Sequence, residues 1–310
     1  MKILVNTDYY HETFHDMPQG LEVCFAEDKP IYSVRDMDEK IRDVEILVIA
    51  SLFPVSNQLI DKAPKLKLIC NLGAGFNNVD IHYARQKGIT VCNTPDSVTQ
   101  STAEIAMSLM LGLMRRTAET NHRIRTEKEA LWKYRQLTSR SLDGKILGIV
   151  GMGKIGRRLA EMAQPFRMQV VYYNPRTEVP GYQRLSLQEL LQKADIVSLH
   201  VPLNEQTHHL IGEKELNLMK KDAVLINTSR GPVVDEKALA DCLQKGRIAG
   251  AALDVYENEP HITEALYGMN NVVLSPHIGG NTEETLLDMM KTAAENVKAF
   301  YAGHPIHVVN

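Results

Sequence analysis

From its second residue the chain alternates short runs of β-branched and aliphatic residues with longer stretches whose apolar positions recur three and four residues apart. Short apolar runs bounded by turn formers predict strands, and the longer periodic stretches predict amphipathic helices. That alternation is the order of βαβ units in a parallel sheet, so the fold class is α/β. The early strands are expected at Ile3–Asn6, Glu22–Ala26, Ile46–Ala50, Leu66–Asn71 and Thr90–Asn93. A second series is expected at Ile146–Val150, Val170–Tyr173, Ile196–His200, Val224–Asn227, Ala249–Leu253 and Val272–Leu274, each of its first four strands followed by a helical pattern.

Between the two series, Ser97 to about Lys133 reads as one long helical stretch, with Ile105, Ala106, Leu109, Met110 and Leu113 on helical spacing before a charged continuation. Such a stretch predicts a bridge between domains. A last helix, about Thr282–Tyr301, is expected to return the chain to its first domain. The expected architecture is two Rossmann/flavodoxin-like doubly wound parallel-sheet domains joined by long helices. One is discontinuous, residues 1–97 with 283–310, and the other spans 98–282.

Composition narrows the function. With 310 residues, 44% hydrophobic and 24% charged, the chain can bury a sizeable core, and its net charge of -3 leaves no footprint for nucleic acid or an anionic membrane surface. No apolar stretch approaches the roughly 20 residues that cross a bilayer, so a cytoplasmic location with small-molecule partners is expected. Cys24, Cys70, Cys92 and Cys242 are far apart without metal-type spacing and read as buried thiols. No metal is expected, since His11, His15, His208, His209 and the other histidines form no ligand set.

The strand expected at Ile146–Val150 runs into Gly151-Met-Gly153-Lys154-Ile155-Gly156 and then a helical pattern to about Phe166. A strand, glycine turn and helix in that order suit a dinucleotide: the first glycine permits the turn, the second lets backbone approach a pyrophosphate, and the third lets helix and strand pack closely. The helix N-terminus then faces the phosphates. Where an acidic residue would grip the ribose of NAD, after the next strand, stands Asn174-Pro175-Arg176. A guanidinium at Arg176 suits a ribose phosphate, so NADP(H) is expected, alone or beside NAD(H). The plainer reading is an exposed arginine in a polar loop.

Three residue types near the ends of later strands together suit reduction of a 2-oxo acid. Hydride arriving at a carbonyl carbon leaves charge on oxygen, and His277, in Ser275-Pro-His-Ile-Gly279, can supply the proton. Glu259, in Tyr256-Glu-Asn-Glu-Pro260, can sustain the charged imidazole and fix its orientation. Arg230, in Asn227-Thr-Ser-Arg-Gly231, can hold a carboxylate through a planar pair of donors. Singly, each has a plainer explanation: a strand-end ion pair, a loop charge, a structural histidine beside a turn.

Taken in order, the glycine turn, Asn-Thr-Ser-Arg-Gly, Ala-Leu-Asp-Val-Tyr-Glu-Asn-Glu-Pro and Ser-Pro-His-Ile-Gly-Gly resemble the D-isomer-specific 2-hydroxyacid dehydrogenase family over nearly the whole chain. The resemblance implies a catalytic Arg230, Glu259 and His277, and a nicotinamide carboxamide contact at Asp254. It also implies a split substrate domain, a dinucleotide-binding domain and a homodimer built largely on the latter. Cofactor contacts are expected at Gly151, Gly153, Lys154, Ile155, Gly156, Asn174, Arg176, Val201, Pro202, Thr228, Ser229, Arg230, Asp254 and His277. The loop Gly73-Ala74-Gly75 is implied over the substrate carboxylate, where small residues let backbone N–H groups approach an anion. Leu52 and Phe53 are implied as substrate-wall residues, with core packing the alternative. Trp132 lies in a segment that in some relatives reaches a neighbouring subunit's site, although interface or helix packing is the plainer role.

The substrates implied are glyoxylate and hydroxypyruvate, then bulkier 2-oxo acids such as phenylpyruvate or 2-oxoisocaproate. 3-Phosphoglycerate is less attractive, because enzymes for it often carry an extra regulatory domain and this chain ends after its closing helix. A nicotinamide-sensing, corepressor-like binding protein is the competing class, since that branch keeps the same three residues. Domain closure over the reactants would place hinges near Asp96–Thr99 and Gly279–Thr282.

Overall fold

The computed structural model describes residues 1–26, 31–128 and 137–310. Trp132 and part of the charged run from Arg115 to Arg135 lie outside the described residues. The chain forms two compact units, Met1–Val98 with Gly280–Asn310 and Thr99–Gly279.

In the first unit, β1 (Lys2–Asn6), β2 (Glu22–Phe25), β3 (Ile46–Ala50), β4 (Leu68–Leu72) and β5 (Thr90–Asn93) form a parallel sheet in the order β2-β1-β3-β4-β5. Their apolar runs are continuous because both faces of the sheet are covered. Along β3, Ile46 and Val48 face a core completed by Met289, Met290, Ala293 and Val297 of the helix Glu283–Tyr301. Leu47 and Ile49 face the opposite core, with Met37 of α1 (Val34–Lys40), Leu59 and Ile60 of α2 (Asn57–Asp61) and Ala84 of α3 (Ile81–Gln86). Burying each such side chain stabilises by about 1.5–3 kcal/mol relative to leaving it in water. Ser33, Ser56 and Asp80 cap the three short helices by accepting backbone N–H groups of the first turn.

The second unit opens with α4 (Thr99–Met114) and α5 (Thr117–Glu127). The sequence predicts one long helical stretch from Ser97 to about Lys133; over the described part of it the structure forms two helices. The chain breaks at Arg116, whose φ is 55° and whose guanidinium pairs with Glu119 at 2.7 Å. The apolar stripe ends at Met114, and α5 has no buried residue, so no core packing carries the first helix through the break.

Seven parallel strands follow: β6 (Ile146–Val150), β7 (Gln169–Tyr173), β8 (Gln183–Arg184), β9 (Ile196–Leu199), β10 (Val224–Asn227), β11 (Gly250–Leu253) and β12 (Val272–Leu274). Helices α6 (Lys154–Ala163), α7 (Leu187–Lys193), α8 (Glu213–Leu218), α9 (Glu236–Gln244) and α10 (Glu264–Tyr267) lie between them, and the helix Glu283–Tyr301 is α11. The order β12-β11-β10-β9-β6-β7-β8 places β6 where successive strands step away in opposite directions. A crevice outside the carboxyl ends of the strands at such a point is where open α/β sheets bind ligands. The edge strand β8, two exposed residues long, has no apolar pattern from which to predict it.

Cys70, Cys92 and Cys242 are buried, Cys24 is partly exposed, and all are free thiols. Among the described residues no helix is long and apolar enough to cross a membrane, and no group of three or more His, Cys, Asp or Glu residues could hold a metal ion.

Candidate active site

The glycine turn lies between β6 and α6, at the point where the strand order reverses. Gly151 has φ 99°, and a Cβ there would stand 2.5 Å from the carbonyl oxygen of His200, so both conformation and space require glycine. A Cβ at Gly156 would meet the Gly151 carbonyl at 2.4 Å, which closes strand against helix. At Gly153, the N-cap of α6, a Cβ would meet nothing within 4 Å, so that backbone faces open space. Lys154 and Ile155 open the helix behind it.

Two buried polar atoms at the ends of neighbouring strands strengthen the fit to a polar ligand. Among the described residues, Thr228 Oγ1, just past β10, and His200 Nδ1, just past β9, have no hydrogen-bond partner. Buried polar atoms are seldom left unpaired, so such a pair beside a glycine turn suits a cofactor with hydroxyl and amide groups. His200 Nε2 is 2.9 Å from Ser198 Oγ, and burial pulls the imidazole down to about 4, which keeps it neutral around neutral pH. Val201 and Pro202 follow directly. Asn174 and Arg176 follow β7, where Arg184 Nη2 donates to the Pro175 carbonyl at 2.9 Å and fixes the turn; Arg176 itself is exposed.

Arg230, Glu259 and His277 follow β10, β11 and β12 at the carboxyl edge of the same parallel sheet. Glu259 joins them. Its Oε2 accepts from His277 Nδ1 at 2.8 Å, and its Oε1 accepts the N–H of Tyr256 at 2.9 Å. Burial alone would raise the Glu259 carboxyl, but the hydrogen bond and charge of His277, the Tyr256 N–H and the charge of Arg230 together hold it below the ordinary carboxylate range. Burial lowers the Arg230 guanidinium and Glu259 opposes that shift, while Arg230 Nη1 donates to the Ser229 carbonyl at 2.8 Å. An arginine remains a cation under any such shift. The Arg230 turn presses against the Glu259 loop so closely that a Cβ at Gly231 would stand 1.8 Å from the Tyr256 carbonyl oxygen.

His277 has φ 55°, an uncommon conformation for a residue with a Cβ. Asp254, fully buried after β11, holds the turn: Oδ1 accepts from Ser275 Oγ at 2.6 Å and Ile278 N–H at 2.9 Å, and Oδ2 accepts the Gly279 N–H at 2.8 Å. The Tyr256 hydroxyl donates to the Ser275 carbonyl at 2.8 Å, and burial pushes that phenol well above its usual range. The turn that presents His277 is therefore fixed on both sides.

In the first unit, Gly73 has φ 109° and its N–H donates to Thr94 Oγ1 at 2.7 Å. The rest of that loop hangs from amide side chains: Asn93 Nδ2 donates to the Ala74 carbonyl at 2.7 Å and Asn71 Nδ2 to the Gly75 carbonyl at 2.8 Å. With the carbonyls of Ala74 and Gly75 drawn inward, the loop can turn amide dipoles outward to an anion. Leu52 is 59% exposed, whereas Phe53 is half-buried and packs partly against the core beneath β3.

Sequence reasoning missed His200, Ser275, Tyr256 and Glu236: Ser275, Tyr256 and Glu236 act through partners about 20 or more residues away, whereas His200 pairs with Ser198 two residues before it. The one local signal was the Ser-x-His at the end of β9, which places a hydroxyl and an imidazole on the same side of an extended strand.

Residues 107–279 match the family model of the D-isomer specific 2-hydroxyacid dehydrogenase, NAD binding domain. A glyoxylate reductase of Thermococcus litoralis is 44% identical over 283 residues, 88% of this chain and 85% of that one. Among solved structures, a glyoxylate reductase from Paecilomyes thermophila has a TM-score of 0.89 at 32% identity, covering 99% of this chain and 97% of that one. An NADPH-dependent glyoxylate/hydroxypyruvate reductase from Sinorhizobium meliloti, in complex with NADP and malonate, has a TM-score of 0.86 at 30% identity and covers 99% and 96%.

Proposed function

The chain belongs to the D-isomer-specific 2-hydroxyacid dehydrogenases, a family of NAD(P)-dependent oxidoreductases, and on that footing we propose that it reduces small 2-oxo acids to D-2-hydroxy acids. Glyoxylate and hydroxypyruvate are the favoured substrates, with bulkier 2-oxo acids next. The observation that carries the reading is Glu259, whose carboxylate binds His277 and bears on Arg230 at the carboxyl edge of the sheet that holds the glycine turn.

The residues proposed to hold the dinucleotide are Gly151, Gly153, Lys154, Ile155 and Gly156 at the pyrophosphate, Asn174 and Arg176 at the ribose, Val201, Pro202, Thr228 and Ser229 beside the cofactor, and Asp254 at the nicotinamide carboxamide. When bound, the reduced nicotinamide supplies a hydride to the 2-oxo carbon. As charge grows on the carbonyl oxygen, His277 delivers a proton from Nε2, because its Nδ1 is committed to Glu259. Glu259 sustains the imidazolium, and its second oxygen is pinned by the Tyr256 N–H, so the ring keeps one orientation. Arg230 orients the substrate carboxylate and carbonyl through its planar donors. The loop Gly73-Ala74-Gly75 of the first unit, the proposed substrate domain, is assigned to the substrate carboxylate, with Leu52 and Phe53 toward its variable end.

Cofactor oxidation followed with glyoxylate, hydroxypyruvate, phenylpyruvate and 2-oxoisocaproate, each with NADPH and NADH, tests the assignment. Steady turnover with the two smallest acids is expected, and tight cofactor binding without turnover on any acid would overturn it. The missing carboxylate after β7 and the exposed guanidinium support a preference for NADPH, which Arg176→Ala should weaken. An unchanged preference removes Arg176 from the argument. We further propose a cytoplasmic homodimer built largely on the second unit, and a single-chain mass in sedimentation would refute the dimer.

A further inference from the structure

A buried acid outside the catalytic trio has a placement that helix capping does not explain. Glu236 opens α9 and is 4% exposed. The cap of that helix is already supplied by Asp235, whose Oδ1 accepts the Ala238 N–H at 2.9 Å. The Glu236 carboxylate instead reaches the loop that carries Glu259. Its Oε2 accepts the N–H of Glu257 at 2.9 Å, and its Oε1 accepts the N–H of Thr263 at 2.8 Å. These two donors lie on either side of Glu259. The tie to Glu257 is reciprocal, since the Glu236 N–H donates to Glu257 Oε2 at 3.1 Å. Glu257 is itself braced, because its Oε1 accepts from His209 Nε2 at 2.6 Å.

We propose that Glu236 is a positioning residue for Glu259: one carboxylate brackets the loop from both sides and keeps Glu259 Oε2 within reach of His277 Nδ1. The proposal rests on the reading of Glu259 and His277 as the proton-delivering pair. A carboxylate suits the task because its two oxygens accept from two backbone donors at once, whereas an amide offers one acceptor and turns an N–H toward the other donor. With the bracket cut, the imidazole spends less time against its carboxylate partner, so both its orientation and its delivery of a proton are less well supported. The other charged or titratable groups facing the pair and the bracket are Arg230, Asp254, Tyr256, Glu257 and His209, and the substitution changes the identity of none of them.

The experiment is the pH profile of kcat/KM for glyoxylate reduction in wild type, Glu236→Gln, Thr263→Pro and Glu259→Gln. Thr263 has φ -56°, which proline adopts, so that variant removes one donor N–H and leaves Glu236 intact. The upper limb of the profile is expected to fall by about one pH unit in Glu236→Gln and in Thr263→Pro, and further in Glu259→Gln. If Glu236→Gln does not fold, Thr263→Pro decides. The proposal is overturned if the bracket variants keep the wild-type limb, whatever their melting temperature, while Glu259→Gln moves it. A limb that stays in place in Glu259→Gln as well overturns the underlying proton-delivery reading instead.

Discussion

The carboxyl edges of the two sheets carry different kinds of group. That of the second unit gathers an arginine, a glutamate and a histidine, each held by charged or backbone partners. That of the first gathers a glycine turn supported by neutral side chains, Asn71, Asn93 and Thr94. Both are parallel α/β sheets. The difference lies in what each edge can do: titrating groups move protons, while backbone amides on a neutral scaffold only recognise. Damage to the second edge should therefore appear in turnover and pH dependence, and damage to the first in substrate affinity.

The sharpest way to break that contrast is His277→Ala. Turnover is expected to drop roughly 100-fold or more, the usual worth of a positioned acid, with KM for the 2-oxo acid little changed. A variant with near-normal kcat ends the assignment of chemistry to the second edge.

Glu259 gives a stability test of the same edge. Its carboxyl is held below the ordinary value of 4.5, so its contribution to stability is complete above that value and fades as pH falls through the lower folded-state value. Wild-type melting temperature should thus decline more steeply below about pH 4.5 than that of Glu259→Gln. Parallel curves would mean that the carboxylate gains nothing from its neighbours.

On the first edge, Asn93→Ala frees the Ala74 carbonyl and loosens the glycine loop. One hydrogen bond of about 1 kcal/mol corresponds to a roughly 5-fold rise in KM for glyoxylate, with kcat within about 2-fold of wild type. A fall in kcat at constant KM would place chemistry on both edges. The smallest effect is expected from Leu52→Ala. At 59% exposure the side chain contributes little to the fold, so melting temperature should hold while the ratio of phenylpyruvate to glyoxylate efficiency changes. An unchanged ratio removes Leu52 from the substrate wall.

Much of the scaffold was legible before any coordinate. The runs at Ile46–Ala50, Thr90–Asn93, Ile146–Val150, Val224–Asn227 and Val272–Leu274 became strands with those same ends; the inner ones are continuously apolar because both of their faces are buried, and the turn formers that bound all of them are local. That Arg230, Glu259 and His277 would stand on one edge followed from each coming just after such a run, since parallel strands share a carboxyl end. The break at Arg116 and the edge strand β8 were not legible, the first because a left-handed residue leaves no periodic trace and the second because two exposed residues carry no pattern.

Sequence by itself thus determined the fold class, the strand order along the chain and the chemical kinds of group available to the site. Only tertiary structure decided how those groups are held: Asp254 grips a turn 21 to 25 residues away, and Glu236 accepts from residues 21 and 27 positions on. Secondary structure is written in short-range periodicity, whereas a buried carboxylate takes whichever donors the packed chain brings within 3 Å, and nothing local encodes which those are.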